Sequence, residues 1–410
     1  MKNIHNEQDR PRRVLHVTGS FNRGGIETWL RQVLPLIPRN LYEADICTYR
    51  FARGQYEKEF KEMQCTEHHI PLGTSPWDIL RFSLRFRKLL RSRRYEVVHC
   101  HGLLFVGFLL FLAWIEGTPI RIAHAHSSTR VTRRRMSRMN RIGLAVNRGL
   151  TRAFLTHGIA CSDEAGTALF GGEWKSNPQC SLIHCGIDLS PFQTDSGLHF
   201  LRIETGIPEC SKIIGHVSNF SVAKNAGFLV EVVARVLRKR DDVVLLLVGD
   251  GAGRRDLELK CEGLGIRNKV HFLGTSSRVP ELMKDEMDLF LMPSIYEGLP
   301  LVLLEAQAAG LPCLVSQAVS HEAMISPGAI EFLSLDDGID VWAERAEALL
   351  DAGRQSAGHL KELMESDFNI TVSATKLREV YESATKDMRG GIAPCRMKVP
   401  QRRLGSSAQK

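Results

Sequence analysis

Glu297 and Glu305 stand eight positions apart in Pro293–Ala306 (PSIYEGLPLVLLEA), and the second lies inside an apolar, helix-like run. A carboxylate in such surroundings is costly without a partner. The cost is tolerable if the helix directs its amino end at a phosphate and Glu305 binds sugar hydroxyls. Lys224, in Gly215–Asn225 (GHVSNFSVAKN), enters the next helix and could neutralise a diphosphate or simply sit in solvent. Gly24 and Gly25, in Asn22–Glu27 (NRGGIE), would let the backbone approach a bound phosphate closely, although paired glycines are equally plain turn chemistry. Val248–Gly251 (VGDG) by itself marks only a corner between strand and helix. His99 with His101, and His124 with His126, are pairs at period-two spacing, so each pair shares one face of a strand. No acidic ligand stands beside them in the sequence, so no metal site is expected; hydrogen bonding to a ligand or proton transfer is the expected role.

These residues sit where strands end. Arg13–Thr18, Tyr42–Thr48, Val97–His101, Ile120–His126, Gly158–Ser162 and Cys180–His184 read as strands, and so do Lys212–Val217, Val243–Gly249, Val270–Leu273, Leu289–Pro293, Pro312–Ser316 and Ile330–Leu333. Short apolar strands alternating with helical stretches predict an α/β protein with parallel sheets, in two doubly wound, Rossmann-like domains facing each other across a cleft. In such sheets ligands bind at the carboxyl ends of the strands. The expected division is a polar extension 1–13, a first domain 14–195, a second 205–370, and a basic tail 389–410. A last helix, 371–388, is expected to return to the first domain.

The net charge of +8 conceals a polarity: residues 1–195 carry +11, residues 196–385 carry −9 and residues 386–410 carry +6. An acidic second half argues against a protein that wraps a polynucleotide with both lobes, so no nucleic-acid partner is expected. The ten cysteines include no Cys-x-x-Cys pair and mostly lie in apolar stretches, which reads as reduced thiols in a cytoplasmic protein. Leu103–Ile115 is apolar throughout but thirteen residues long. A spanning helix needs about 20, so a core helix is expected.

Taken together, EGLPLVLLEA, GGIE, the AHSS strand end, CGIDLSPF and the KN loop resemble the retaining, GT-B-fold glycosyltransferases of family four, from about Val14 to about Tyr381. ACSDEAG at Ala160–Gly166 is similar to the bacterial exopolysaccharide and capsule enzymes among them. The resemblance implies transfer of a sugar from a nucleotide diphosphate sugar, expected to be a UDP-sugar, to a glycan or polyprenyl-diphosphate-linked acceptor, with no cofactor required. By the same resemblance Lys224 holds the diphosphate and Glu305 the ribose, while Glu297 with the backbone of Gly298, Leu299 and Pro300 holds sugar and phosphate. His126 matches the active-site His, with His124 a close competitor. Gly24 and Gly25 would approach the diphosphate from the opposite lobe.

One departure bears on catalysis. Many relatives have Gly-Arg where this chain has Ser218-Asn219, and Asn219 brings a hydrogen-bond donor without a charge. Weaker donor binding, a different donor, a compensating Arg such as Arg23, and a nucleotide-sugar-binding scaffold without turnover all fit that change. A nucleotide-sugar 2-epimerase on the same fold is disfavoured by the EGLP…E block. Arg130, Arg133, Arg134, Arg135, Arg138, Arg141, Arg148 and Arg152, interleaved with apolar residues, and the run Arg81–Arg94 suit an anionic membrane surface as well as a solvated helix face.

Overall fold

The computed structural model describes residues 10–19, 24–50, 56–126, 137–194, 200–354 and 358–389. Two all-parallel sheets organise the chain. The first has the order β3-β2-β1-β4-β5-β6-β7, from β1 (Arg12–Thr18), β2 (Tyr42–Thr48), β3 (Thr66–His69), β4 (Val97–His101), β5 (Ile120–Ala125), β6 (His157–Ala160) and β7 (Cys180–Leu182). The second has the order β10-β9-β8-β11-β12-β13, from β8 (Lys212–Val217), β9 (Val243–Val248), β10 (Val270–Gly274), β11 (Leu289–Met292), β12 (Cys313–Ser316) and β13 (Ile330–Leu333). Helices cover both, as buried parallel strands require: every residue of β4, β5, β9, β11 and β12 is buried.

Several expectations need adjustment. Strand β3, sequence TEHH, is missing from the sequence reading because a polar edge strand carries no apolar run. β1 begins at Arg12, inside the expected extension, and β5, β6 and β7 end at Ala125, Ala160 and Leu182, one to two residues early. His126, Cys161 and Cys185 therefore lie just beyond the strands, at the carboxyl edge. The apolar run folds as a helix over Val106–Ile115, with Leu109, Leu110 and Leu112 buried and Trp114 and Ile115 exposed. The last helix, Ile370–Arg389, extends one residue into the expected tail. It lies against the first sheet, where the Tyr381 hydroxyl is 2.9 Å from His99 Nδ1. Its entry is fixed by an Ile187–Asn369 bridge and by Ser373 Oγ, which donates to the His184 carbonyl and accepts from Gly186 N–H.

Candidate functional site

In the second sheet the strand order reverses between β8 and β11, which opens a crevice at their carboxyl ends. The loops leaving those strands are joined by a hydrogen bond from Ile295 N–H to the Ala223 carbonyl, 2.8 Å. There Lys224 Nζ donates to Glu297 Oε1 at 2.5 Å, and Ser294 Oγ donates to the same oxygen at 3.0 Å. Asn219 is exposed, and its Oδ1 accepts from Ser221 N–H at 3.3 Å, so its amide braces its own loop. The Gly-rich turn after β9 makes room for that loop. A Cβ on Gly249 would stand 1.8 Å from the Ser218 carbonyl oxygen, and one on Gly251 the same distance from that of Asn219.

Pro300 precedes the helix Leu301–Ala308 and, lacking an N–H, offers a fixed backbone rather than a donor. Gly298 and Leu299 are half-buried beside it. Four residues into the helix, Glu305 keeps partial contact with solvent, and its carboxylate has, among the described residues, no hydrogen-bond or ion-pair partner. Burial pushes its carboxyl up to about 7, opposed by the positive charge of Arg31 from the first lobe. A carboxylate held in this state gains most from hydroxyl donors supplied from outside the chain.

Across the crevice, Gly24 caps the helix Gly25–Val33, and its carbonyl accepts from Thr28 N–H. Among the described residues, a Cβ on Gly25 would meet nothing within 4 Å. Glu27, in the first turn, is buried and accepts from Thr18 Oγ1 at 3.0 Å, and burial raises its pKa. The lobes meet where a Cβ on Gly298 would lie 3.5 Å from the His126 carbonyl oxygen. Lys224, Glu297, Gly298 and His126 are thus gathered at one crevice. Among the described residues, Gly24, Gly25 and Asn219 form no hydrogen bond with one another or with that group.

Behind His126 runs a ladder of imidazoles. His16 on β1 is in register with His99 on β4, and His101 with His124 on β5, so period-two alternation brings all of them and His126 to one face. His126 Nε2 lies 3.0 Å from His101 Nδ1, and His101 Nε2 3.0 Å from His16 Nδ1. Tyr381 closes the path, 3.5 Å from His16 Nε2 and 2.9 Å from His99 Nδ1, and His99 Nε2 is 3.2 Å from His124 Nδ1. Burial holds His16 down at about 3, and burial with neighbouring imidazoles holds His99, His101 and His124 well below the usual range. These four are neutral at pH 7. His124 is fully buried against the edge of Trp29, whereas His126 is partly exposed and its carbonyl lies at the crevice opposite Gly298.

Local spacing revealed the pairs but missed His16, which the same alternation would have found, and Tyr381, whose partners are more than 280 positions away. It also missed Cys161 and Cys185, whose sulfurs lie beside His126. Asn22, Arg23, Ser127, Ser128, Arg130, Arg133, Arg134, Arg135 and the tail 390–410 lie outside the described residues.

Residues 23–191 match the family described as Glycosyltransferase Family 4, and residues 199–362 match Glycosyl transferases group 1. EpsF of Bacillus subtilis, named as a glycosyltransferase, is 32% identical over 92% of this chain and 97% of its own length. The Escherichia coli UDP-Gal:alpha-D-GlcNAc-diphosphoundecaprenol alpha-1,3-galactosyltransferase is 24% identical over 72% of this chain and 77% of its own. Among solved structures, Anabaena HepE in complex with UDP and glucose superposes with a TM-score of 0.72 at 20% identity, covering 91% of this chain and all of that one.

Proposed function

This chain belongs to the GT-B glycosyltransferases of family four, and from that premise we propose that it transfers a sugar, with retention, from a UDP-sugar to a glycan or polyprenyl-diphosphate-linked acceptor in polysaccharide assembly. The observation that carries the reading is the Glu305 carboxylate, without a hydrogen-bond or ion-pair partner among the described residues, on the helix that follows the Lys224–Glu297 pair at the crevice of the second sheet. Glu305 accepts hydrogen bonds from the ribose hydroxyls. Lys224 turns from Glu297 to the diphosphate and stabilises the charge that grows on the leaving group, with the amino end of the helix Leu301–Ala308 and the amide of Asn219. Freed of Lys224, Glu297 takes the sugar hydroxyls together with the backbone of Gly298, Leu299 and Pro300. His126 faces the donor sugar from the first lobe, and Gly24 and Gly25 approach the diphosphate from that same lobe. The galactosyltransferase and HepE support a UDP donor, and the galactosyltransferase a lipid diphosphate acceptor. UDP release across a panel of UDP-sugars tests the reading: UDP binding without sugar release from any donor would favour a scaffold instead.

A lipid acceptor implies work at the inner face of a membrane. Among the described residues no helix is long and apolar enough to cross one. The first lobe does expose Trp77, Leu80 and Leu84 on the helix Pro76–Arg93, and Met139, Ile142 and Val146 on the helix Arg138–Phe154, among basic residues. Apolar side chains beside cations favour adsorption to anionic lipid. Arg87 and Arg91 belong to a different account, because both pair with Glu116 within the fold.

A further inference from the structure

His126, Cys161 and Cys185 each lie just past the end of one of three adjacent strands, β5, β6 and β7. Backbone hydrogen bonds hold those ends level: Cys161 N–H donates to the Ala125 carbonyl at 3.0 Å, and Ile183 N–H to the Ala160 carbonyl at 2.9 Å. His184 Nδ1 adds a 2.8 Å bond to the Cys161 carbonyl. One nitrogen and two sulfurs consequently converge, all within 4.8 Å of one another, with both cysteines buried and His126 partly exposed.

We propose that His126, Cys161 and Cys185 form a binding site for a thiophilic divalent cation, zinc by its chemistry, at the carboxyl edge of the first sheet. Cys185 Sγ lies 3.5 Å from His126 Nδ1. A tetrahedral zinc with bonds of about 2.3 Å to sulfur and about 2.0 Å to nitrogen sets those atoms about 3.5 Å apart. Two thiolates cancel the charge of the ion, so the complete centre can be buried without a net charge. A ligating imidazole needs an anchor on its other nitrogen, and His126 Nε2 has one in His101 Nδ1 at 3.0 Å. With Nδ1 on the ion, His126 must donate from Nε2, and that orders the ladder in one direction: His126 to His101, to His16, to Tyr381, to His99, to His124. The last N–H, His124 Nε2, has no conventional acceptor among the described residues, and the His124 ring meets that of Trp29 at right angles. Cys161 immediately precedes Ser162, the cap of the helix Asp163–Phe170. The other two clusters, His16 with His99 and His101, and His101 with His124 and His126, are less suited. They would bury an uncompensated double charge and break the ladder.

The ion would pin the ends of three strands and so fix the His126 carbonyl, which faces Gly298 across the crevice. It occupies Nδ1 while Nε2 is donated inward, leaving that carbonyl as the part of His126 turned to the other lobe. The site stands on its own geometry, and its test does not need sugar transfer. Full-length protein, stripped with chelator under reducing conditions, is titrated with Co(II) and with Zn(II). Roughly one ion per chain should bind tightly, with thiolate-to-cobalt charge transfer and tetrahedral ligand-field bands, and Zn(II) should displace it. Cys161→Ser and Cys185→Ser should each abolish those bands, and Cys210→Ser, at an exposed thiol, should leave them unchanged. Because a serine variant could lose its fold, wild-type protein is also alkylated with and without zinc and mapped by mass spectrometry. Protection of Cys161 and Cys185 that chelator reverses supports the site. Bands that survive in folded variants, an absence of charge transfer in the wild type, or equal alkylation with and without zinc would each overturn it.

Discussion

Glu305 concentrates the energetics of the crevice in one side chain. Its pKa of about 7 in the folded chain exceeds the ordinary 4.5, so between these values the fold holds a proton that the unfolded chain releases, and stability falls as pH rises through the window. Glu305→Gln should therefore raise the melting temperature of the ligand-free protein at pH 8 and leave it nearly unchanged near pH 4; equal shifts at both would refute the burial account. Ribose binding asks for the ionised form. UDP affinity of the wild type should weaken from pH 8 to pH 6, while Glu305→Gln should bind UDP about 10-fold more weakly or worse, with little pH dependence. Lys224→Met should reduce affinity for UDP far more than for uridine, since it removes the cation proposed for the diphosphate. Calorimetry on the two ligands separates that outcome from general damage, which would weaken both alike.

At the level of the elements, glycines in neighbouring loops do different work. Gly249 has φ of +121° and its Cβ position overlaps the Ser218 carbonyl, so Gly249→Ala must shift the loop that carries Asn219 and should cost about 1–3 kcal/mol by chemical denaturation. Gly25 has no neighbour within 4 Å of its Cβ position among the described residues and an ordinary backbone, and Gly25→Ala should alter stability by no more than about 0.5 kcal/mol while lowering kcat/KM for transfer. Unchanged transfer would remove Gly25 from the site. The apolar strands and the helix Val106–Ile115 were legible because burial on both faces writes continuous hydrophobic runs. Strand β3 was not, since two His, a Thr and a Glu can stand at a sheet edge only where a neighbour supplies the hydrogen bonds.

For the molecule as a whole, the charge division between +11 and −9 follows the division between the two sheets. Single exposed apolar residues need no explanation, but Trp77, 71% exposed, and Met139, 78% exposed, lie on basic helices of one lobe. Leu80→Asp combined with Leu84→Asp should reduce co-sedimentation with anionic vesicles and leave donor hydrolysis in solution unaltered. Binding to vesicles that is indifferent to both substitutions and to salt would exclude this surface. The strap formed by Ile370–Arg389 also acts at this scale: by closing the ladder through Tyr381 it makes the first sheet depend on the far end of the chain.

The sequence by itself determined what is local. The periods of strand and helix, the Glu-x7-Glu pairing, the strand-end loops and the division of charge are all set within a few residues or by simple counting, and with the recurring motifs they led to the family. Tertiary structure decided what depends on strand order and register. Parallel pairing of β1, β4 and β5 turned separate histidines into one ladder, and the adjacency of β5, β6 and β7 set Cys161 and Cys185 beside His126. Cys161 and Cys185 are 35 and 59 positions from His126 in the sequence, so no local spacing could expose the group. Only hydrogen bonding between strands, which acts across space and ignores distance along the chain, could bring the ligands together.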